Sequence, residues 1–328
     1  MRIVGCALTV LALSICADAA PETRLPWEQA QFFHDGVVRQ YRYWVPDASE
    51  SACAVLILLH DADENLQTVF DRSSAANRRW QQLAQSEGFI LLVPNGTDLR
   101  TGKGRGQRLH WNDCRPNNER RHRSSVSDDV AFLREVIERV AREHHVDASR
   151  IYATGAGEGG LMAMRLAFEA PDIVAAVSSI HATLPFNTDC ERSRVPVPML
   201  LINSTQDSRF RWNGGNLGER HGLMMAVPRM RKLLIAYNWA REDEARHETR
   251  PDHDPADGCT VERMWVPGSE RGADVCFYTI EGGGHALPSR VHGLSERDVA
   301  RIGPQCRDIE MVDESWQFLR NYTLAADE

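Results

Sequence analysis

Short apolar runs alternate with stretches of helical period along this chain. "AVLILLH" (54–60), "FILLVP" (89–94), "RIYAT" (150–154), "IVAAVSS" (173–179), "PMLLIN" (198–203) and "VCFYTIE" (275–281) read as buried strands, since too few polar positions interrupt them to mark a solvent side. "VVRQYRYWVP" (37–46) alternates instead, as an edge strand does. Between these runs, "RRWQQLAQSEG" predicts a helix closed by Gly88. Val130, Phe132, Leu133, Val136, Ile137 and Val140 recur at helical spacing across 128–142. A helix over 159–169 and a closing one in "EMVDESWQFLRNY" complete the order β-α-β-α-β-α-β. Strands separated by helices call for a doubly wound, mostly parallel sheet with helices on both faces, built as one α/β domain over residues 20–328.

The first twenty residues change the picture of where the chain works. "MRIVGCALTVLALSICADAA" has a basic start, an apolar run from Ile3 to Cys16 and a small-x-small site at Ala17–Ala19, which predicts a signal peptide over 1–19 and a secreted or periplasmic protein. No later segment has the ~18 to 20 uncharged apolar residues that a membrane helix needs. The net charge of −8 does not change when Arg2 and Asp18 leave together, and it argues against nucleic acid or an anionic membrane as partner. Six cysteines remain, Cys53, Cys114, Cys190, Cys259, Cys276 and Cys306, none in a C-x-x-C pair, so disulfides are expected rather than a metal site. Six cysteines allow 15 pairings.

Two segments break the rhythm. Residues 98–125 form a long arginine-rich loop, and loops of that length face either solvent or a substrate. Residues 241–258 are acidic, with His247 and His253 interleaved but no evident scaffold to fix them, and read as a solvated excursion.

The candidate chemistry lies in "IYATGAGEGGLMAMRLA" (151–167). A strand runs through a glycine turn into a helix, as in a nucleophile elbow G-x-S-x-G, where close backbone approach demands small neighbours. Gly155, Gly159 and Gly160 supply them, but the central position is Gly157, which carries no nucleophile. The string also fits G-x-G-x-x-G, yet that dinucleotide fingerprint belongs to the first βα turn of its domain, and this turn comes late. No cofactor is expected. In the hydrolase order the acid and the histidine follow on later strand ends, and Asp207 after "PMLLIN" and His285 after "VCFYTIE" stand in those places.

With these residues in view, the chain resembles the secreted polyhydroxybutyrate depolymerase and feruloyl esterase-like group of α/β-hydrolases. "LLH", "EGFILLVPNGT", "WNDCR", "VDASRIYATG", "TQD", "WNGG", "YTIEGGGH" and "SWQFLRN" carry the likeness, from about Val37 to the closing helix. The resemblance implies an α/β-hydrolase fold and a small or oligomeric ester as ligand, of phenolic or polyester type. Gly157 then stands at the nucleophilic serine, Asp207 at the acid and His285 at the base. Trp111, Asn112 and Trp212 would line the cleft, and Cys114 and Cys190 would be paired. Asp61, Ala62 and Glu158 stand where backbone N–H groups would meet the developing oxyanion.

The departures from that pattern matter as much. Asp61-Ala62-Asp63 replaces the glycines that usually follow "LLH", and a carboxylate beside an oxyanion opposes it. With the serine lost as well, the expectation is a catalytically impaired esterase-family protein that keeps a ligand-binding cleft. The alternative is an ester hydrolase in which the Asp207–His285 dyad activates water, with Glu158 as a possible extra base. If the Asp207–His285 dyad is intact, Gly157→Ser should raise ester hydrolysis, with the Asp61–Asp63 loop holding the gain well short of an ordinary esterase.

Overall fold

The computed structural model describes residues 26–46, 51–113, 115–116, 127–188, 190–218 and 222–324. The expected signal peptide lies outside them.

One ten-stranded sheet runs through the protein. In chain order its strands are β1 (Glu28–His34), β2 (Val37–Trp44), β3 (Cys53–Leu59), β4 (Ile90–Pro94), β5 (Val146–Ala156), β6 (Ala176–Ile180), β7 (Met199–Ser204), β10 (Arg246–Thr249), β11 (Thr260–Val266) and β12 (Val275–Glu281). A separate two-stranded ribbon pairs β8 (Gly215–Asn216) with β9 (Leu223–Met224). The spatial order is β1-β2-β4-β3-β5-β6-β7-β12-β11-β10. From β4 to β12 neighbours pair in parallel, while the hairpins β1–β2 and β10–β11 add antiparallel edges.

The apolar runs become the central strands because both faces are covered. Along β3, Val55, Ile57 and Leu59 join one core and Ala54, Leu56 and Leu58 the other, as the two-residue period requires. The first core is closed by α2 (Asp129–Glu143), α3 (Glu158–Glu169) and α4 (Val227–Tyr237). The second is closed by α1 (Arg78–Glu87) and α6 (Met311–Leu319). A short helix, α5 (Glu296–Ile302), lies between β12 and α6. Gly88 ends α1 at φ 72°, a left-handed closure that a glycine makes without steric cost. Asp128 caps α2 by accepting from the Ala131 N–H at 2.9 Å.

The acidic segment 241–258 differs from its expectation in part. Its middle forms β10, an edge strand with His247 opposite Met264 on β11, although all four of its residues are exposed. Charge hides the strand from pattern reading, because an edge with both faces in water needs no apolar alternation. The hairpin's inner strand, β11, escaped notice for a similar reason: Glu262 and Arg263 interrupt its apolar positions.

Candidate active site

The site collects at the C-terminal edge of the parallel strands, past the ends of β3, β5, β7 and β12, with β6 between β5 and β7. Gly157 sits at the tip of the turn between β5 and α3, with φ 53° and ψ −117°. That is the strained shape of an elbow, held by the sheet on one side (Gly157 N–H to Ile180 O, 2.9 Å) and the helix on the other (Leu161 N–H to Gly157 O, 3.0 Å). The small neighbours are required: a Cβ on Gly159 would lie 2.2 Å from Leu59 O, and one on Gly155 2.6 Å from the Gly159 backbone.

Asp207, just past β7, accepts at Oδ1 from the N–H groups of Arg209 (2.7 Å) and Phe210 (2.8 Å). Its Oδ2 accepts from His285 Nδ1 at 2.8 Å. His285 is presented by the loop after β12, whose Gly284 and His285 N–H groups donate to Pro304 O and Ile302 O. The Phe210 ring lies nearly parallel to the imidazole, 6.0 Å away, and His181 packs on it at 5.5 Å. His181 donates from Nε2 to Ala286 O, and burial pushes its pKa down to about 4, so it stays neutral beside the dyad.

The side chain nearest the elbow is Asp61. Its Oδ1 accepts the Glu158 N–H at 2.9 Å, and its Oδ2 lies 3.5 Å from His285 Nε2 and 3.5 Å from Arg209 Nη1. A Cβ on Gly157 would lie 2.0 Å from Asp61 Oδ1 and 2.6 Å from its Cγ. The carboxylate therefore fills the volume a side chain at 157 would need, and takes up the N–H of the residue that follows the elbow tip. Burial works against its charge, but His285 and Arg209 hold it below the usual carboxylate range. Burial also opposes a charge on His285, yet the Asp207 and Asp61 carboxylates raise it to about 9. The unit is an Asp207–His285–Asp61 chain in which the imidazole is protonated at neutral pH.

Behind the elbow lies a second charged cluster. The buried Glu158 carboxylate accepts from Arg115, and His110 Nδ1 meets it at 2.9 Å. Arg115 also makes a forked pair with Asp113, and these two carboxylates hold its cation despite burial. His110 is raised to about 9; burial opposes this, and Asp63 and Glu158 outweigh it. Glu64 is pushed up to about 7 by burial and by the Asp61 charge, with Ser74 donating to it.

A cleft of about 470 Å³ opens over this edge, lined by Asp61, Ala62, Asp63, Glu64, His110, Glu158, Arg209, Phe210, Leu217 and His285, among others. The expected Trp111, Asn112 and Trp212 do not line it. Trp111 is fully buried, 4.9 Å from the His60 ring, and donates from Nε1 to His60 O. Asn112 ties the segment to α2, donating to Ser127 O and, from its backbone, to Asp129 Oδ2. Trp212 packs against the core, with the Arg231 guanidinium 5.0 Å over its ring. These are structural positions: an indole and a carboxamide with buried partners do more for the loop than for a ligand. Arg209, Phe210, Glu64, His110 and Arg115 were missed. For Arg209 and Phe210 the signal is their place two and three residues after "TQD"; His110 and Arg115 carry none, since the Glu158 that gathers them lies 48 and 43 residues away.

Cys190 is buried and is not a free thiol, while its expected partner Cys114 lies outside the described residues. Cys53, Cys259, Cys276 and Cys306 are buried and free. Among the described residues, Asp257, Cys259 and Cys306 are the group whose metal-capable atoms come within 4.8 Å of one another, and neither His247 nor His253 belongs to it. No helix of the described residues is long and apolar enough to cross a membrane.

No family model matches the chain. It is 29% identical over 199 residues to the putative esterase NocK of Nocardia uniformis subsp. tsuyamanensis, covering 58% of this chain and 57% of that one. It is 22% identical over 288 residues to a poly(3-hydroxybutyrate) depolymerase of Ralstonia pickettii, covering 84% and 54%. A bifunctional acetylxylan esterase/xylanase of Neocallimastix patriciarum matches at 23% over 175 residues, 52% of this chain and 22% of that one. The chain thus spans about half the length of the first two relatives and about a fifth of the third. In structure, the acetyl xylan esterase of Aspergillus awamori superposes with a TM-score of 0.53 at 12% identity, over 83% of this chain and 98% of that one. The chain has the α/β-hydrolase fold and resembles its esterases. The elbow, Asp207 and His285 follow β5, β7 and β12 in chain order.

Proposed function

We propose that the protein is an exported esterase-family α/β-hydrolase that has lost the acyl-enzyme step and kept its ligand cleft. The observation that carries this is the Asp61 carboxylate, seated where the side chain at 157 would stand and bonded to the Glu158 N–H. Two parts of acyl transfer are removed together. There is no hydroxyl at the elbow, and the N–H that would steady an oxyanion already faces an anion. The His285 ring is also spoken for, since its pKa of about 9 leaves it protonated and unable to accept a proton near neutral pH.

The cleft suits a small ester or the end of an oligomeric one, with Leu217, Leu287 and Phe210 as apolar lining and Arg209 as a cation at the mouth. The names of the relatives, an acetylxylan esterase and a polyhydroxybutyrate depolymerase, support acetylated or polyester ligands over other classes. Residues 20–328 are proposed to act as one domain after the signal is removed.

Hydrolysis through water activated by the dyad is the second reading, favoured by the 2.8 Å Asp207–His285 bond. It requires His285 to be neutral, so such activity should rise toward and above pH 9. The deciding experiment compares 4-nitrophenyl acetate hydrolysis by the wild type, Gly157→Ser and Asp61→Gly/Gly157→Ser between pH 6 and 10. An inactive wild type and a gain in the double variant support the proposal. Fast wild-type turnover at pH 7 would sink it.

A further inference from the structure

We propose that Asp61 is a covalent nucleophile toward saturated carbon, so that the site hydrolyses small alkyl halides or sulfonates through an alkyl ester of Asp61. This rests on the reading above that the acyl-enzyme step is lost and the cleft kept.

Replacing a hydroxyl with a carboxylate changes which electrophile gives a stable intermediate. A carboxylate attacking an acyl carbon makes an anhydride, which falls back. One attacking an sp3 carbon makes an ordinary ester. Asp61 is placed for the second outcome. Its side chain is 13% exposed and lines the cleft, Oδ1 is tied to the Glu158 N–H at 2.9 Å, and Oδ2 is the oxygen on the His285 and Arg209 side. The carboxylate is ionised, which attack requires.

In the first step Oδ2 forms a bond to the substrate carbon, and the carbon–halogen or carbon–sulfonate bond breaks. The bonding pair leaves with the halide or sulfonate, so no proton donor is needed. Arg209, Arg211 and Arg301 line the same cleft and favour an anion there. In the second step water attacks Asp61 Cγ. His285 takes the proton from that water, and negative charge develops on Oδ1, which already faces the Glu158 N–H. Collapse breaks the bond between Cγ and the alkyl oxygen, and the leaving alkoxide takes the proton from His285. The sum is alkyl halide plus water giving alcohol, halide and one proton.

The structure also accounts for His285 changing role between the steps. Alkylation neutralises Asp61 and so removes one of the two carboxylates that hold the imidazole protonated. The ring's hold on its proton weakens in the step where water needs a base, with Asp207 still orienting Nδ1.

The test uses 4-nitrobenzyl bromide with the full mature chain. In H₂¹⁸O the wild type should release bromide and acquire ¹⁸O in the Asp61 carboxylate, read by mass spectrometry of the peptide that contains it. His285→Gln should stall with a nitrobenzyl group on Asp61, and Asp61→Asn should lower bromide release by about a hundredfold or more. Adducts on other residues, if present, persist in Asp61→Asn and are subtracted. The wild-type labelling needs no variant to fold. Nitrobenzyl alcohol formed with ¹⁸O in the alcohol and none in Asp61 overturns the inference, as does a wild type that neither releases bromide nor labels. Fast hydrolysis of 4-nitrophenyl acetate at pH 7 would overturn the earlier proposal instead, and the two readouts are independent.

Discussion

Asp61 and Gly157 share one volume: a β-carbon on Gly157 would lie 2.0 Å from Asp61 Oδ1, well inside contact distance. Two residues 96 positions apart thus compete for one space, and a side chain at 157 requires the Asp61 carboxylate to move.

The pair sets an expectation for stability and activity. Gly157→Ser alone should cost about 1 to 3 kcal/mol, since a non-glycine residue takes on the strain of φ 53° and must also displace Asp61. It should give little ester hydrolysis, which revises the gain expected from sequence. Adding Asp61→Gly should restore space and release the Glu158 N–H, giving a gain larger than the sum of the single changes. Urea denaturation and 4-nitrophenyl acetate assays on the four corners of this cycle measure the coupling.

The pH dependence of stability follows from His285. Its folded pKa of about 9 is above the unfolded value of about 6.5, so its contribution is fully present below pH 6.5 and is lost as pH rises through 9. His110, also raised to about 9, adds to the same loss. Stability should therefore fall between pH 6.5 and 9.5. In Asp61→Asn the His285 part of that fall should move to lower pH. NMR titration of the imidazole, with denaturation at each pH, reads both.

Glu158 offers a different kind of prediction. Its carboxylate lies between Arg115 and His110 in a buried cluster, so Glu158→Ala leaves cations with reduced compensation away from water. The expected cost is about 3 to 5 kcal/mol, the range for breaking a buried ion pair by removing one partner. Glu158→Gln, which keeps the shape, should cost less. Urea midpoints of the two variants decide it.

For Cys190, non-reducing peptide mapping should recover it linked to Cys114. Separate alkylation of the two would defeat that pairing.

The sheet was legible because strands buried on both faces must be apolar throughout, and "AVLILLH" or "PMLLIN" leave no other reading. That Gly157, Asp207 and His285 follow strands is legible too, since it needs only the strands to be found. Edge strands were not: β10 is exposed on every residue and carries no pattern to detect. Trp111 and Asn112 belong to a motif that resembles a family signature, yet a motif records that residues recur together, not which way they face. Asp61 reads in the sequence as a departure in the oxyanion loop. That its carboxylate would settle over Gly157, 96 residues later, depends on how β3 and β5 end side by side, and no local pattern encodes that.

The elbow keeps its shape with a glycine at the tip. A Cβ on Gly155 or Gly159 would meet backbone atoms of Leu59 and Gly159, so the turn is maintained by backbone packing and needs no side chain at 157 to hold it. Seen as a path through sequence, a nucleophile at 157 is two changes away rather than one. A serine there has to displace the Asp61 carboxylate that occupies its volume and holds the Glu158 N–H, so the first change brings no gain until the second clears the space.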